Sequence, residues 1–174
     1  MIRRIFTFSL ILLAVLSRLL PHAPNIAPIT ALALFSGVYL DKRHAFLIPM
    51  AALLISDFVI GFYSGIEWVY GSFLAIGLIG LWLRKHPGVI STAGATIAGS
   101  MLFFIVTNLG VWISSPGMYP HTLAGLGLCY EAAIPFFRNT LIGDVGYVAA
   151  MFGVFEVVRR YTPALQREPS AFQI

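Results

Sequence analysis

Charge is what this sequence has least of. Acidic and basic residues make up 10% of its 174 residues, where a soluble domain carries about 25%. Its hydrophobic share is 59%, against a usual 45–50% or so. A soluble chain of this length could not bury that much apolar surface and still cover itself with polar groups, so lipid must be the solvent for most of it. Cysteine is also scarce: the single Cys129 excludes an intrachain disulfide and a Cys-rich zinc site. No P-loop is present, so the chain has no means of its own to hydrolyse ATP. A nucleophile elbow and a His-x-x-x-His pair are missing too, and neither enzymatic activity nor a cofactor is expected. The alternation of a membrane β-barrel is absent. The net charge of +4 does not point to nucleic acid, because the basic residues form short pairs between apolar blocks, the pattern of membrane-flanking charge.

What the sequence has is apolar segments, six of them, at approximately 5–20, 25–40, 45–63, 67–83, 90–114 and 139–158. Each is long enough, or nearly so, for a hydrocarbon core of about 30 Å. Turn or charge signals separate them: "PHAPN", "DKRH", "YSGIE", "RKHPG" and the long "SSPGMYPHTLAGLGLCYEAAIPFF". With the N-terminus in the cytoplasm, Arg3, Arg4, Lys42, Arg43, Arg84, Lys85, Arg159, Arg160 and Arg167 all fall inside. Only Arg18 and Arg138 stay toward the outer side. This asymmetry supports an even number of spans. The expected architecture is therefore an all-α membrane protein, a bundle of six transmembrane helices with both termini cytoplasmic. A single domain covers 1–158 and a polar cytoplasmic tail 159–174. Between spans five and six a long outer loop is expected, in which "TLAGLGLCYEAAIPFF" forms a short surface helix ended by Pro135. "MIRR" followed by "IFTFSLILLAVL" also resembles a signal peptide with cleavage near Ala23 or Ala27, but that would remove a helix the bundle needs. The stretch "LSRLLPHAPNIAP" reads better as an outer hairpin.

Ionisable groups inside spans cost about 2.5–3.5 kcal/mol at a helix centre and so face the bundle or a cavity. Here they lean one way. Asp57, Asn108 and Asp144 lie in the outer halves of their spans. Arg18 and Asn25 flank the first hairpin, Glu67 opens the fourth span, and Arg138 with Asn139 opens the sixth. His121, Tyr130 and Glu131 occupy the long connection. Glu156 is the exception, near the cytoplasmic end beside Arg159 and Arg160. The asymmetry suits a pocket open to the outside, with Arg18, Asn25, Asp57, Glu67, Asn108, Tyr130, Arg138, Asn139 and Asp144 as candidate ligand contacts. Taken singly, the same residues read as helix caps and interfacial ion pairs, such as Arg138 with Asp144 or Glu131. Tyr119, Tyr130, Phe136 and Phe137 fit either a lid over a ligand or the interfacial aromatic belt. His22, His121 and Cys129 are a weak candidate set for zinc or cobalt. Small residues at four-residue spacing, Ala27 with Ala31, Ala33 with Gly37 and Ala95 with Gly99, allow close helix packing.

The segment "SRLLPHAPNIAPITALALFSGVYLDKRHAFLIPMAALLISDF" resembles the N-terminal half of the substrate-binding S-components of energy-coupling factor (ECF) vitamin transporters. The points of resemblance are Arg18 near the end of the first helix, Pro24 with Asn25 in the turn, the small-residue run from Ala31 to Gly37, "DKR", and Asp57 late in the third helix. "FFIVTNLGVW" and "IPFFRNTLIGD" look like the family's fifth and sixth helices, and the whole chain looks like small, uncharacterised bacterial membrane proteins related to these components. The resemblance implies a protein of the bacterial inner membrane, a six-helix bundle with a vitamin or similar micronutrient bound toward the outer face. It implies delivery by toppling against a shared transmembrane partner and two ATPases. Classical members dock on that partner through A-x-x-x-A on the first helix. This first helix has Ala14, with Ser9 and Ser17 as its other small residues, so either the small pairs of the second helix serve instead or that partner is not used. Solitary S-components for vitamin B12 exist in the wider family, one type with a cysteine as cobalt ligand, a comparison that Cys129 in the outer connection invites. Asp57→Ala or Arg138→Ala is then expected to lower binding without unfolding the protein. The competing expectation is a membrane scaffold or assembly factor with no small-molecule site.

Overall fold

The computed structural model describes residues 2–20, 24–115 and 117–162. Among them there are six helices and no strand: α1 Ile2–Arg18, α2 Ile29–Tyr39, α3 Lys42–Ile60, α4 Ile66–Lys85, α5 Val89–Ser114 and α6 Leu123–Tyr161. Four, α3 to α6, are long and apolar enough to cross a membrane. Successive helices pack against one another along the chain, and α2 touches all of the others. Leu47, Leu54, Phe58, Leu78, Ile105 and Ile142 lie exposed on the outer helix faces, a belt that only lipid or another apolar partner would cover.

The second helix is the core of the bundle. Its sequence, ITALALFSGVY, has no charged residue, and nine of its eleven residues are buried. A helix that is apolar all round belongs inside. It is also short: at roughly 1.5 Å per residue it runs about 16 Å. Its start is delayed from the expected residue 25 to Ile29 because Asn25 takes a left-handed conformation (φ 64°) and Pro28, which lacks an N–H, stands at the N-cap. Its far end is held from α4. Arg84 donates from Nε to the Gly37 carbonyl oxygen at 2.8 Å and from Nη2 to that of Leu40. Carbonyls at a helix C-terminus lack intrahelical partners, and the helix dipole favours a cation there. Arg84 thus does more than anchor the chain at the membrane surface. The next helix starts at once: the Asp41 carboxylate accepts from the backbone N–H groups of Arg43 and His44, both at 3.0 Å.

The close pass of α2 and α4 explains one of the small-residue pairs. A Cβ placed on Gly37 would lie 2.5 Å from the Gly80 carbonyl carbon, and one on Gly80 would lie 2.8 Å from the Ala33 carbonyl oxygen. Ala33 and Gly37 are therefore spent inside the bundle. Since α2 has no free face, the small pairs on it do not serve as a docking surface for another subunit. Gly99 of α5 likewise faces Thr30 and Ile76. Small residues that do lie outside, Gly146, Ala149, Ala150 and Gly153, share one face of α6.

The sixth helix departs most from expectation. There is no surface helix ended by Pro135 followed by a separate span: residues 123 to 161 form one helix of 39 residues with Pro135 inside it. Thr122 caps it, its hydroxyl accepting from the Gly125 N–H at 3.1 Å. At roughly 1.5 Å per residue the helix is about 58 Å long, well beyond the hydrocarbon core of about 30 Å. A proline removes one backbone bond and ordinarily ends a helix in water. In apolar surroundings every other arrangement would leave more backbone groups unpaired, so the helix runs through. Pro49 sits inside α3 in the same way.

The two ends of the bundle differ in packing. Where α2 and α4 end, Phe35 and Tyr39 meet Phe152 and Phe155 of α6, with Phe35 edge-on to Phe155 at 5.4 Å and Tyr39 at 4.2 Å from the same ring. Glu156 pairs nearby with Arg159 and Arg160 at 2.9 and 3.2 Å, as expected. At the opposite end α2 stops short, while α5 and the first half of α6 continue past it.

Candidate functional site

The space above the N-terminus of α2 is a cavity of about 430 Å³, within the usual range of small-molecule pockets, about 300–1,000 Å³. Arg18 and the segment from Asn25 to Thr30 border it on one side, and Leu53, Ile60 and Tyr63 on another. Val69 and Phe73 come from α4, Phe103, Phe104 and Asn108 from α5, and Phe136, Phe137 and Asp144 from α6. Six of the lining residues are aromatic: Tyr63, Phe73, Phe103, Phe104, Phe136 and Phe137. Phe73 and Phe103 lie 5.1 Å apart, and Phe104 and Phe137 4.7 Å apart, between ring centres.

Four of the nine candidate residues line this space: Arg18, Asn25, Asn108 and Asp144. Asp144 is at its floor and 3% exposed. Ser100 of α5 donates to its Oδ2 at 2.6 Å, and the Thr30 hydroxyl is a second hydrogen-bond partner. Gly143 brings α6 close to this level of the bundle, since a Cβ there would lie 3.1 Å from Ile26. Asn108 donates from Nδ2 to the Phe104 carbonyl at 2.8 Å, and among the described residues no group donates to its side-chain oxygen.

Asp57 stands behind the cavity wall instead of in it. It is fully buried, and both of its oxygens are engaged. Arg18 Nη2 reaches Oδ1 at 2.8 Å, and the Tyr70 hydroxyl donates to Oδ2 at 3.0 Å. Arg18 Nη1 also reaches the Leu53 carbonyl at 3.5 Å. A carboxylate so occupied orients Arg18 and ties α1 to α3 and α4. Its removal is therefore expected to bear on folding, where the sequence led to the expectation of a loss of binding alone.

Glu67, Tyr130, Arg138 and Asn139 do not border the cavity. Glu67 and Arg138 are exposed, and among the described residues Arg138 forms no ion pair with Asp144 or Glu131. Tyr130 donates to the Ile105 carbonyl at 2.8 Å and Asn139 to that of Pro24 at 3.1 Å; both fasten neighbouring segments. Phe136 and Phe137 do line the cavity. Among the described residues no group of three or more His, Cys, Asp or Glu side chains is placed to hold a metal ion. His22 lies outside the described residues, the His121 ring donates to the Trp112 carbonyl (2.9 Å), and the buried Cys129 points its Sγ at the Asn108 carbonyl, 3.4 Å away.

Tyr70, Ser100 and Thr30 escaped the sequence reading. Hydroxyls in apolar helices ordinarily bond the carbonyl four residues back, as Thr96, Thr107 and Thr140 do here. Nothing in the local sequence separates Ser100 from them; only the facing Asp144 does.

The chain matches DUF6580, described as a family of unknown function, over residues 1–165, and belongs to that family. No curated protein and no solved structure matches it.

Proposed function

We propose that this protein is the integral membrane substrate-binding subunit of an uptake system for a vitamin-like micronutrient, with six spans, both termini in the cytoplasm of a bacterium, and a pocket toward the outer face of the inner membrane. Partner proteins, of the ECF transmembrane and ATPase type, would supply the energy, since the chain has no nucleotide-binding motif, with the transmembrane partner docked on a face other than that of α2, whose small residues are buried. The observation that carries this reading is the cavity of about 430 Å³ at one end of a bundle whose other end is filled by aromatic packing. Arg18, Asn25, Asn108 and Asp144 project toward it from separate elements, a mostly apolar chamber with a few convergent polar groups, as small-molecule sites are built.

The test is native mass spectrometry of protein purified in mild detergent, followed by thermal shifts with a vitamin panel. A bound small molecule of fixed mass, released by Asn108→Ala, is the expected result. Protein that carries nothing and is stabilised by no member of the panel would contradict the reading. A second reading, a membrane scaffold or assembly protein, draws on the exposed face of Gly146, Ala149, Ala150 and Gly153, where another helix would fit closely. It requires Ala150→Leu to abolish function while Asn108→Ala does not.

A further inference from the structure

The charges around the cavity are unequal in their partners. Its lining holds one cation, Arg18, and one carboxylate, Asp144. Arg18 is committed to Asp57 through a 2.8 Å ion pair, and that carboxylate is completed by Tyr70. Asp144 has the opposite situation. It is 3% exposed, its hydrogen bonds come from the Ser100 and Thr30 hydroxyls, and among the described residues no cation pairs with it. Burying a carboxylate without a counter-charge is costly. Two hydroxyl donors and the adjacent N-terminus of α2, the positive end of the helix dipole, lower that cost without removing it. Neither carries the full positive charge that would balance the carboxylate.

Above the cavity floor the lining includes four phenylalanines that pack in pairs. Phe73, Phe103, Phe104 and Phe137 all line the cavity, in tilted pairs with centroids 5.1 and 4.7 Å apart, and aromatic rings are the side chains that pack on a planar ligand and attract a cation. Taking the substrate-binding reading as its basis, we infer that the ligand is a planar aromatic or heteroaromatic cation, bound with its positively charged nitrogen at Asp144 and its ring against the phenylalanine walls. A cation here would supply the counter-charge that the protein does not. An anionic ligand would meet repulsion from Asp144, with Arg18 already engaged.

Three probes that share one ring system separate these cases: tryptamine as cation, tryptophol as neutral analogue and indole-3-acetate as anion. Each is titrated calorimetrically into the full chain in nanodiscs. Tryptamine is expected to bind at least tenfold more tightly than tryptophol, with indole-3-acetate weakest. Asp144→Asn should erase the tryptamine preference and leave tryptophol affinity within about twofold. If Asp144→Asn fails to fold, the ranking of the three probes on the unaltered protein decides. Tryptophol or indole-3-acetate binding as tightly as tryptamine overturns the inference, as does a tryptamine preference that survives in folded Asp144→Asn. Binding of none of the three also overturns it. In that case a neutral or anionic small molecule retained through purification preserves the substrate-binding reading, whereas purified protein carrying nothing removes both.

Discussion

Arg18, Asp57 and Tyr70 show what a buried ion pair does in this chain. Asp57 has both oxygens engaged and almost no exposure, so removing its partner leaves a charge that nothing else neutralises. Breaking such a pair costs about 3–5 kcal/mol. Arg18→Ala and Asp57→Ala should therefore each lower the thermal unfolding midpoint sharply in detergent. Tyr70→Phe removes one hydrogen bond and should cost on the order of 1–3 kcal/mol. If Asp57→Ala kept its midpoint and lost only ligand, the placement of Asp57 behind the wall would be wrong. Asp41 gives a smaller, pH-dependent case. The His44 backbone N–H, then the His44 side chain, holds its carboxyl below the ordinary value. The cap contribution is thus complete above the unfolded-state value and fades as pH falls through the lower folded one. Asp41→Ala should cost about 1 kcal/mol at neutral pH, and the difference from the unaltered protein should vanish in strong acid. The sequence placed Arg18 and Asp57 at the same end of the molecule, because topology alternates with each span. It did not pair them, since the contact depends on how α1 leans on α3.

For the helices, backbone approach is the deciding quantity. At the crossing of α2 and α4, Gly80→Ala would put a methyl group 2.8 Å from the Ala33 carbonyl oxygen. Backbone cannot rotate away as a side chain can, and overpacking of this kind costs about 1–3 kcal/mol. Gly146→Ala on the outer face of α6 meets nothing within 4 Å and should be neutral or stabilising by up to about 1 kcal/mol. Parallel unfolding curves of the two variants check the contrast, and equal effects would argue against the crossing. The small-residue spacing of α2 was legible beforehand, but its partner was not. Spacing says that two backbones can approach, and says nothing about which two. Pro135 misled for a related reason. The rule that proline ends a helix assumes water ready to take the freed carbonyl, a condition that an apolar helix does not meet where lipid surrounds it.

The whole bundle joins two unlike halves, one packed by Phe35, Tyr39, Phe152 and Phe155 and one left open where α2 stops. The proposed orientation puts the open half outside. In a Cys129→Ser background, Arg43→Cys should react with a membrane-impermeant maleimide only after the cells are opened, whereas Met118→Cys should react in intact cells. The reverse pattern would invert the orientation and turn the cavity to the cytoplasm. The helical class, the number of apolar segments and the drift of polar residues toward one end were all determined by composition and order along the chain. These properties follow from solvation, which each residue carries with it. Which polar residues share a cavity, which are bound to each other and which merely fasten loops was decided by the tertiary structure. That depends on the length of α2, the continuity of α6 and the contact of Gly37 with Gly80, distances between segments that no local pattern encodes.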